Sequence, residues 1–182
     1  MENLTLENAK EFALGNFKQM SAEYQEWNLL HSESIIEILR ILVKNKETNL
    51  TKLFSLAWVH DIGKAKSEEN HAVISLGILK NHFNLDKIDE DCILNHGSSM
   101  DPQTEEGKIF RYADGLSLFT DKVILFKIHA EKLEGKNLQE IFGGVKKAYE
   151  KYKVKYSKNE EIIKLLDKLY TEVVRNHFSQ PE

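Results

Sequence analysis

The sequence predicts an all-α protein, and three observations lead there. Only two prolines, Pro102 and Pro181, fall within 182 residues, so most of the chain is free of helix breakers. Leu, Ile, Lys and Glu are abundant, and all of them favour helix. Apolar residues recur at three- and four-residue spacing in one segment after another, while no strand-like alternation lasts more than a few residues.

The first clear helix runs from about 22 to 44. Trp27, Leu30, Ser34, Ile35, Ile38 and Leu42 form its inward stripe, and Ser21 stands ready as N-cap. A second spans about 48 to 61 on Leu50, Leu53, Phe54 and Ala57, with His60 or Asp61 continuing the same face and Gly63 as the expected stop. Further helices are expected at about 68–83, 86–96, 104–134, 137–153 and 158–177. The last carries Ile162, Leu165, Leu166, Leu169, Val173 and Val174. Residues before about 20 carry no assignment. Internal repeats, low-complexity tracts and Gly/Ser linkers are absent, and the length suits one domain with a core large enough to hold without disulfides.

Composition removes several function classes. With 41% apolar and 30% charged residues the chain is neither disordered nor membrane-spanning. Against 29 acidic residues stand 25 basic ones, net −4, which supplies no field for long nucleic-acid tracts. The lysine-rich stretch from Lys146 to Lys158 reads as a solvated helix face. No apolar run reaches the roughly 20 residues of a membrane span or resembles a signal peptide, and Cys92 alone can form no internal disulfide. A cytoplasmic enzyme or binding protein is expected.

Chemistry concentrates in Val59-His60-Asp61-Ile62-Gly63-Lys64. A histidine and an aspartate adjoining at the end of a buried helix can chelate one divalent cation with a mixed nitrogen and oxygen set, suited to Mn, Fe, Co, Ni or Zn. Asp114 lies on an apolar helix line between Phe110 and Leu118, where an unpartnered carboxylate is expensive, so it faces solvent or has a cation or donor. His31 sits on the first long helix; alone, it would be an ordinary core or surface residue.

Taken in order, His31, His60-Asp61 and Asp114 resemble the H…HD…D motif of the HD-domain metal-dependent phosphohydrolases. The passage Trp58 to Lys64 looks like the family's central motif, and Ala113-Asp114-Gly115-Leu116-Ser117 looks like its closing helix. The resemblance covers about residues 20 to 130. It implies an HD-type helical bundle over 1–135, with the helices of 136–182 packing on or extending it. It further implies a divalent transition metal held by His31, His60, Asp61 and Asp114, and hydrolysis by metal-activated water of a phosphate ester or anhydride, with a nucleotide or nucleotide-like small molecule as leading substrate.

His71 and His96 fall where several members carry ligands for a second metal. In that role Asp61 would bridge two cations; in the other, the two histidines contact phosphate or donate a proton beside one metal. Asn95-His96 stands where some binuclear members have a His-His pair, and the Gly-Tyr-Pro element of the cyclic-di-GMP branch is missing, which disfavours that substrate. Lys64 is the best cation for a phosphate oxygen, with Arg111 second. Catalytic roles are thus expected at Asp61, Lys64, His71 and His96. Two competitors are a metal-dependent nuclease acting on single strands, with Lys146, Lys147, Lys151, Lys153 and Lys155 as a local basic groove, and a noncatalytic nucleotide-binding sensor. His82, His129, His177 and Cys92 have no place in the motif order. A homodimer through the C-terminal helices would suit a chain of this size, although no heptad pattern argues for it.

Overall fold

A computed structural model describes residues 1–44, 48–97 and 101–179. Among these residues the chain is all-α, apart from two two-residue strands. It divides into two compact units, Met1–Asp114 and Gly115–Glu182.

In the first unit, α1 (Leu6–Phe17) starts at a capping box: Asn8 N donates to Thr5 Oγ1 and Thr5 N donates to Asn8 Oδ1. Its buried stripe is only Ala9, Ala13 and Phe17, too thin to have announced a helix in the sequence, yet small enough to let α1 pack closely on α3. Helix α2 (Ala22–Leu42) begins where Ser21 Oγ accepts from Tyr24 N, as its cap position predicts, and buries Ile35, Ile38 and Leu39. Helix α3 (Leu50–Val59) is the central rod. Leu53, Leu56, Ala57, Trp58 and Val59 are all buried, and α1 and α2 both pack against it.

Helix α3 ends at Val59, and a 3₁₀ turn, Ile62–Ala65, follows. Gly63 is therefore not a helix stop. It lies inside the turn, where a Cβ would meet the His71 carbonyl oxygen at 2.2 Å and Ser75 N at 2.8 Å, and its own N–H donates to Ser75 Oγ at 2.8 Å. Only glycine permits this approach of the turn to α4 (His71–Lys80). Strand β1 (Glu2–Asn3) then pairs in parallel with β2 (Phe83–Asn84), Glu2 opposite Phe83 and Asn3 opposite Asn84. Helix α5 (Lys87–Asn95) is capped by Asp86, whose carboxylate accepts from Ile88 N and Asp89 N.

The single helix expected over 104–134 is two helices, α6 (Glu105–Ser117) and α7 (Asp121–Leu133). Phe119 N donates to Leu116 O and Thr120 N to Ser117 O, tightening the last turn of α6, and Thr120 in extended conformation begins α7. Neither glycine nor proline marks the break. The second unit continues with α8 (Leu138–Lys155), α9 (Glu160–Val173) and a π-helical turn, Val174–Phe178. Both helices pack on each other and on α7, with Ile141, Val145, Ile162, Leu166 and Val173 buried.

Candidate metal centre

Six elements of the first unit each bring one or two polar side chains to a common place. His31 comes from the middle of α2, and His60 from the residue that closes α3. Asp61 precedes the 3₁₀ turn that carries Lys64. His71 opens α4, His96 closes α5, and Asp114 lies in α6. His60 is fully buried, and His31, Asp61 and His96 are each 3% exposed.

Asp61 is the hub. Its Oδ2 lies 3.2 Å from His60 Nε2, 3.7 Å from His31 Nε2 and 2.7 Å from Lys64 Nζ, and its Oδ1 lies 3.2 Å from His71 Nε2 and 3.5 Å from His96 Nε2. On the other side Asp114 Oδ1 stands 3.1 Å from His31 Nε2 and 3.7 Å from His60 Nε2. Two groups of three ligand atoms lie within 4.8 Å of one another: His31, His60 and Asp114, and His60, Asp61 and His96.

Three of the four imidazoles are fixed by one device. His60 Nδ1 faces Ala57 O at 3.1 Å, His71 Nδ1 faces Glu68 O at 2.6 Å, and His96 Nδ1 faces Ile93 O at 2.7 Å, in each case the carbonyl three residues back. A carbonyl can only accept, so Nδ1 carries the hydrogen, and in the neutral ring Nε2 turns a lone pair toward the hub. That is how a ligating histidine is normally held from behind. His31 is held differently, by the Trp27 ring stacked on it one helical turn away, with centroids 5.9 Å apart and planes at 13°.

The donor set fits a cation. His71 Nε2 and His96 Nε2 approach to 3.0 Å. With both Nδ1 atoms engaged as donors, the two neutral rings would oppose lone pairs unless a proton or a metal lies between them. Two further buried atoms, His60 Nε2 and Asp61 Oδ1, make no acceptable hydrogen bond. Buried polar atoms left in this state are costly, and a shared ion removes the cost for both.

The charges are arranged accordingly. Burial lowers the His60 pKa, keeping the ring neutral and able to ligate, against the pull of Asp61. Burial works to raise Asp61, but its neighbours, the Lys64 ammonium among them, outweigh it and hold the carboxyl well below the usual range. Asp114, pushed up by burial, is drawn down to about 2 by its hydrogen bond with His31 and the neighbouring rings. Burial lowers His96 less than Asp61 and Asp114 raise it. Both carboxylates thus stay ionised at neutral pH.

Of the residues singled out in the sequence, His31, His60, Asp61, Lys64, His71, His96 and Asp114 come together. Arg111, one turn before Asp114, instead donates from Nη1 to Asp101 Oδ1 at 3.1 Å. His82 packs on Phe12, His129 is exposed, and His177 Nε2 pairs with Asp121 Oδ1 at 2.7 Å. Cys92 is fully buried, and burial pushes its thiol far up, which keeps it protonated. Sequence reasoning passed over Trp27 as anything but a core residue; its four-residue spacing from His31 was the signal for the stack. The three anchoring carbonyls carried no side-chain signal at all.

A family model described as HD domain matches residues 28–118, half of the chain, a span that contains all seven converging residues. No curated protein and no solved structure matches the chain.

Proposed function

The chain belongs to the HD-domain family, and from that premise we propose that it is a metal-dependent phosphohydrolase that cleaves a phosphate ester or anhydride of a nucleotide or nucleotide-like small molecule. One observation carries the reading: four histidine Nε2 atoms and two ionised carboxylates converge, three of the rings being anchored at Nδ1. His31, His60, Asp61 and Asp114 would hold a divalent transition metal, and His71 and His96 would complete a second position or face the substrate beside the first.

When bound, the cation supplies a nucleophilic water at neutral pH and neutralises charge on the phosphoryl group. The chain's own residues do the rest. Asp61, kept ionised, accepts a hydrogen bond from the attacking water and orients it. Lys64, its ammonium held at the cluster's edge by Asp61, binds a phosphate oxygen and draws charge from the transferring group. If one ion binds, His71, whose side chain at 21% exposure is the most open of the four rings, takes up a proton at Nε2 from solvent and passes it to the leaving oxygen. Arg111 would supply a second cation to the substrate only by leaving Asp101. No helix among the described residues is long and apolar enough to cross a membrane.

The test is hydrolysis by protein loaded with Mn²⁺, Co²⁺ or Fe²⁺. The substrates are nucleoside mono-, di- and triphosphates, dinucleoside polyphosphates, cyclic nucleotides and a short single-stranded oligonucleotide, each beside Asp61→Ala. Turnover of one class that vanishes in the variant supports the reading and names the substrate. Metal bound in the wild type with no turnover anywhere would overturn the assignment of catalysis and leave a binding protein.

A further inference from the structure

One buried carboxylate lies outside the cluster and is saturated with donors. Asp91, on α5 and 7% exposed, accepts from Gln103 N at both oxygens, 3.0 and 3.1 Å. It also accepts from Thr104 N at 2.8 Å, from Thr104 Oγ1 at 2.5 Å and from Asn95 Nδ2 at 2.7 Å. While donating its hydrogen bond to Asp91, the Thr104 hydroxyl accepts from Gly107 N at 2.9 Å, and Thr104 O accepts from Lys108 N. Thr104 is therefore the N-cap of α6, and Asp91 reaches across from α5 to hold that cap and to place a negative charge at the positive end of α6. The fit leaves no room: a Cβ on Gly107 would stand 2.3 Å from Asp91 Oδ2 and 3.0 Å from Pro102 Cβ.

Both helices joined by this clamp end in the metal centre. Asn95, which donates to Asp91, immediately precedes His96; Asp114 lies ten residues along α6 from Thr104. A helix is a stiff rod of about 1.5 Å per residue, so a tilt or slide at its first turn is carried some 15 Å to Asp114. We propose that Asp91 is a positioning residue of the metal centre: by clamping the start of α6 to α5 it sets where Asp114 stands relative to His96. This role rests on the metal-centre reading above.

The test uses Co²⁺ as probe, with affinity from titration and coordination from the visible absorption spectrum at saturating metal, both measured well below the Tm of each variant. Asp91→Asn turns one acceptor into a donor facing Asn95 and Gln103, and lowers Co²⁺ affinity about tenfold or more with a changed spectrum, the size typical of residues that support ligands from behind. The double variant Asp91→Asn/Asn95→Asp exchanges donor and acceptor within the pair, keeps the charge, and recovers most of the affinity and the wild-type spectrum. Gly107→Ala presses on the same carboxylate from the other side and shifts the spectrum in the same direction, which guards against an Asp91 variant that does not fold. A lowered Tm with affinity and spectrum unchanged in Asp91→Asn and Gly107→Ala would overturn the positioning role and leave Asp91 a plain helix anchor. Wild-type protein that binds no Co²⁺ would instead remove the metal centre, and this role with it.

Discussion

The two compact units solve the problem of charge in opposite ways. Met1–Asp114 carries 12 basic and 19 acidic residues, net −7, whereas Gly115–Glu182 carries 13 and 10, net +3. Among the described residues, every buried histidine and carboxylate belongs to the first unit; the second buries only Ser117 and Thr120 among its polar side chains. Its charges stay at the surface, in pairs such as Lys164 with Glu160 and Lys153 with Asp167, over a core of Ile141, Val145, Ile162 and Leu166. Burying imidazoles and carboxylates costs stability, so gathering them in one half and avoiding them in the other marks the first unit as the place of the candidate site.

Substitutions can break this contrast, and the largest effect is expected at the hub. Asp61→Ala removes the carboxylate that faces all four rings and leaves Lys64 without its partner. Metal content by elemental analysis should fall to background and hydrolysis by more than about a hundredfold, a bound set by what even supporting residues cost. Asp167→Ala in the second unit, which loses bonds from Tyr149 and Lys153, should leave metal content unchanged.

Glycines sharpen the comparison next. Gly63→Ala drives a Cβ into the backbone of α4, which cannot yield cheaply; we expect about 3 kcal/mol, at the upper end of overpacking costs, and a Tm roughly 8 °C lower. At Gly115 the added atom would meet the Tyr156 hydroxyl and the Tyr152 ring edge, side chains that can move, so Gly115→Ala should cost about 1 kcal/mol in the same melting experiment.

Acid titration of the metal-free protein reads the buried charge directly. Asp114 ionises at about 2 in the folded chain against an ordinary 3.8, so its contribution is complete above pH 3.8 and disappears as the pH falls through about 2. In urea unfolding, Asp114→Asn should flatten the stability profile between about pH 4 and pH 2. His71→Ala and His96→Ala test the number of ions: each should lower the metal-to-protein ratio if two bind, and an unchanged ratio in both would assign them to the substrate. The smallest effect belongs to the surface of the second unit, where Lys164→Ala should move Tm by no more than about 1 °C.

How much of this was legible in the sequence follows from what kind of signal each feature leaves. Helices α2 and α3 declare themselves because their buried faces are large aliphatic and aromatic stripes; α1 does not, because Ala9 and Ala13 fill a narrow gap with little apolar mass. The break at 118–120 was hidden because no residue there forbids helix. What marks it is Thr120-Asp121, an N-cap and a first-turn acid, a cue that an apolar line running past Phe119 overrides. At the site, the motif order named residues that the fold brings together, since His-Asp at a helix end and an aspartate on an apolar line are both chemically expensive. The clamp at Asp91 was not legible: an aspartate in Asp89-Glu90-Asp91 looks like any acidic surface run, and only the fold reveals that its partners are Gln103 and Thr104. Gly63, read as a stop, proved to be a point of close approach, since sequence gives the need for glycine without the neighbour that imposes it.

The pairing of Glu2 with Phe83 and of Asn3 with Asn84 has a consequence for how the first unit assembles in time. Two residues per strand are far too few to persist alone, and joining them closes a loop of about eighty residues, whose entropy cost must be met before any ladder bond rewards it. Helices α1 to α4 form from near neighbours and fold early; the strand pair can close only on a scaffold they have already built. Its amide protons therefore report completion: in a pulsed hydrogen-exchange refolding experiment, protection at Phe83 and Asn84 should arrive last, after α3 and α4 are already closed to solvent.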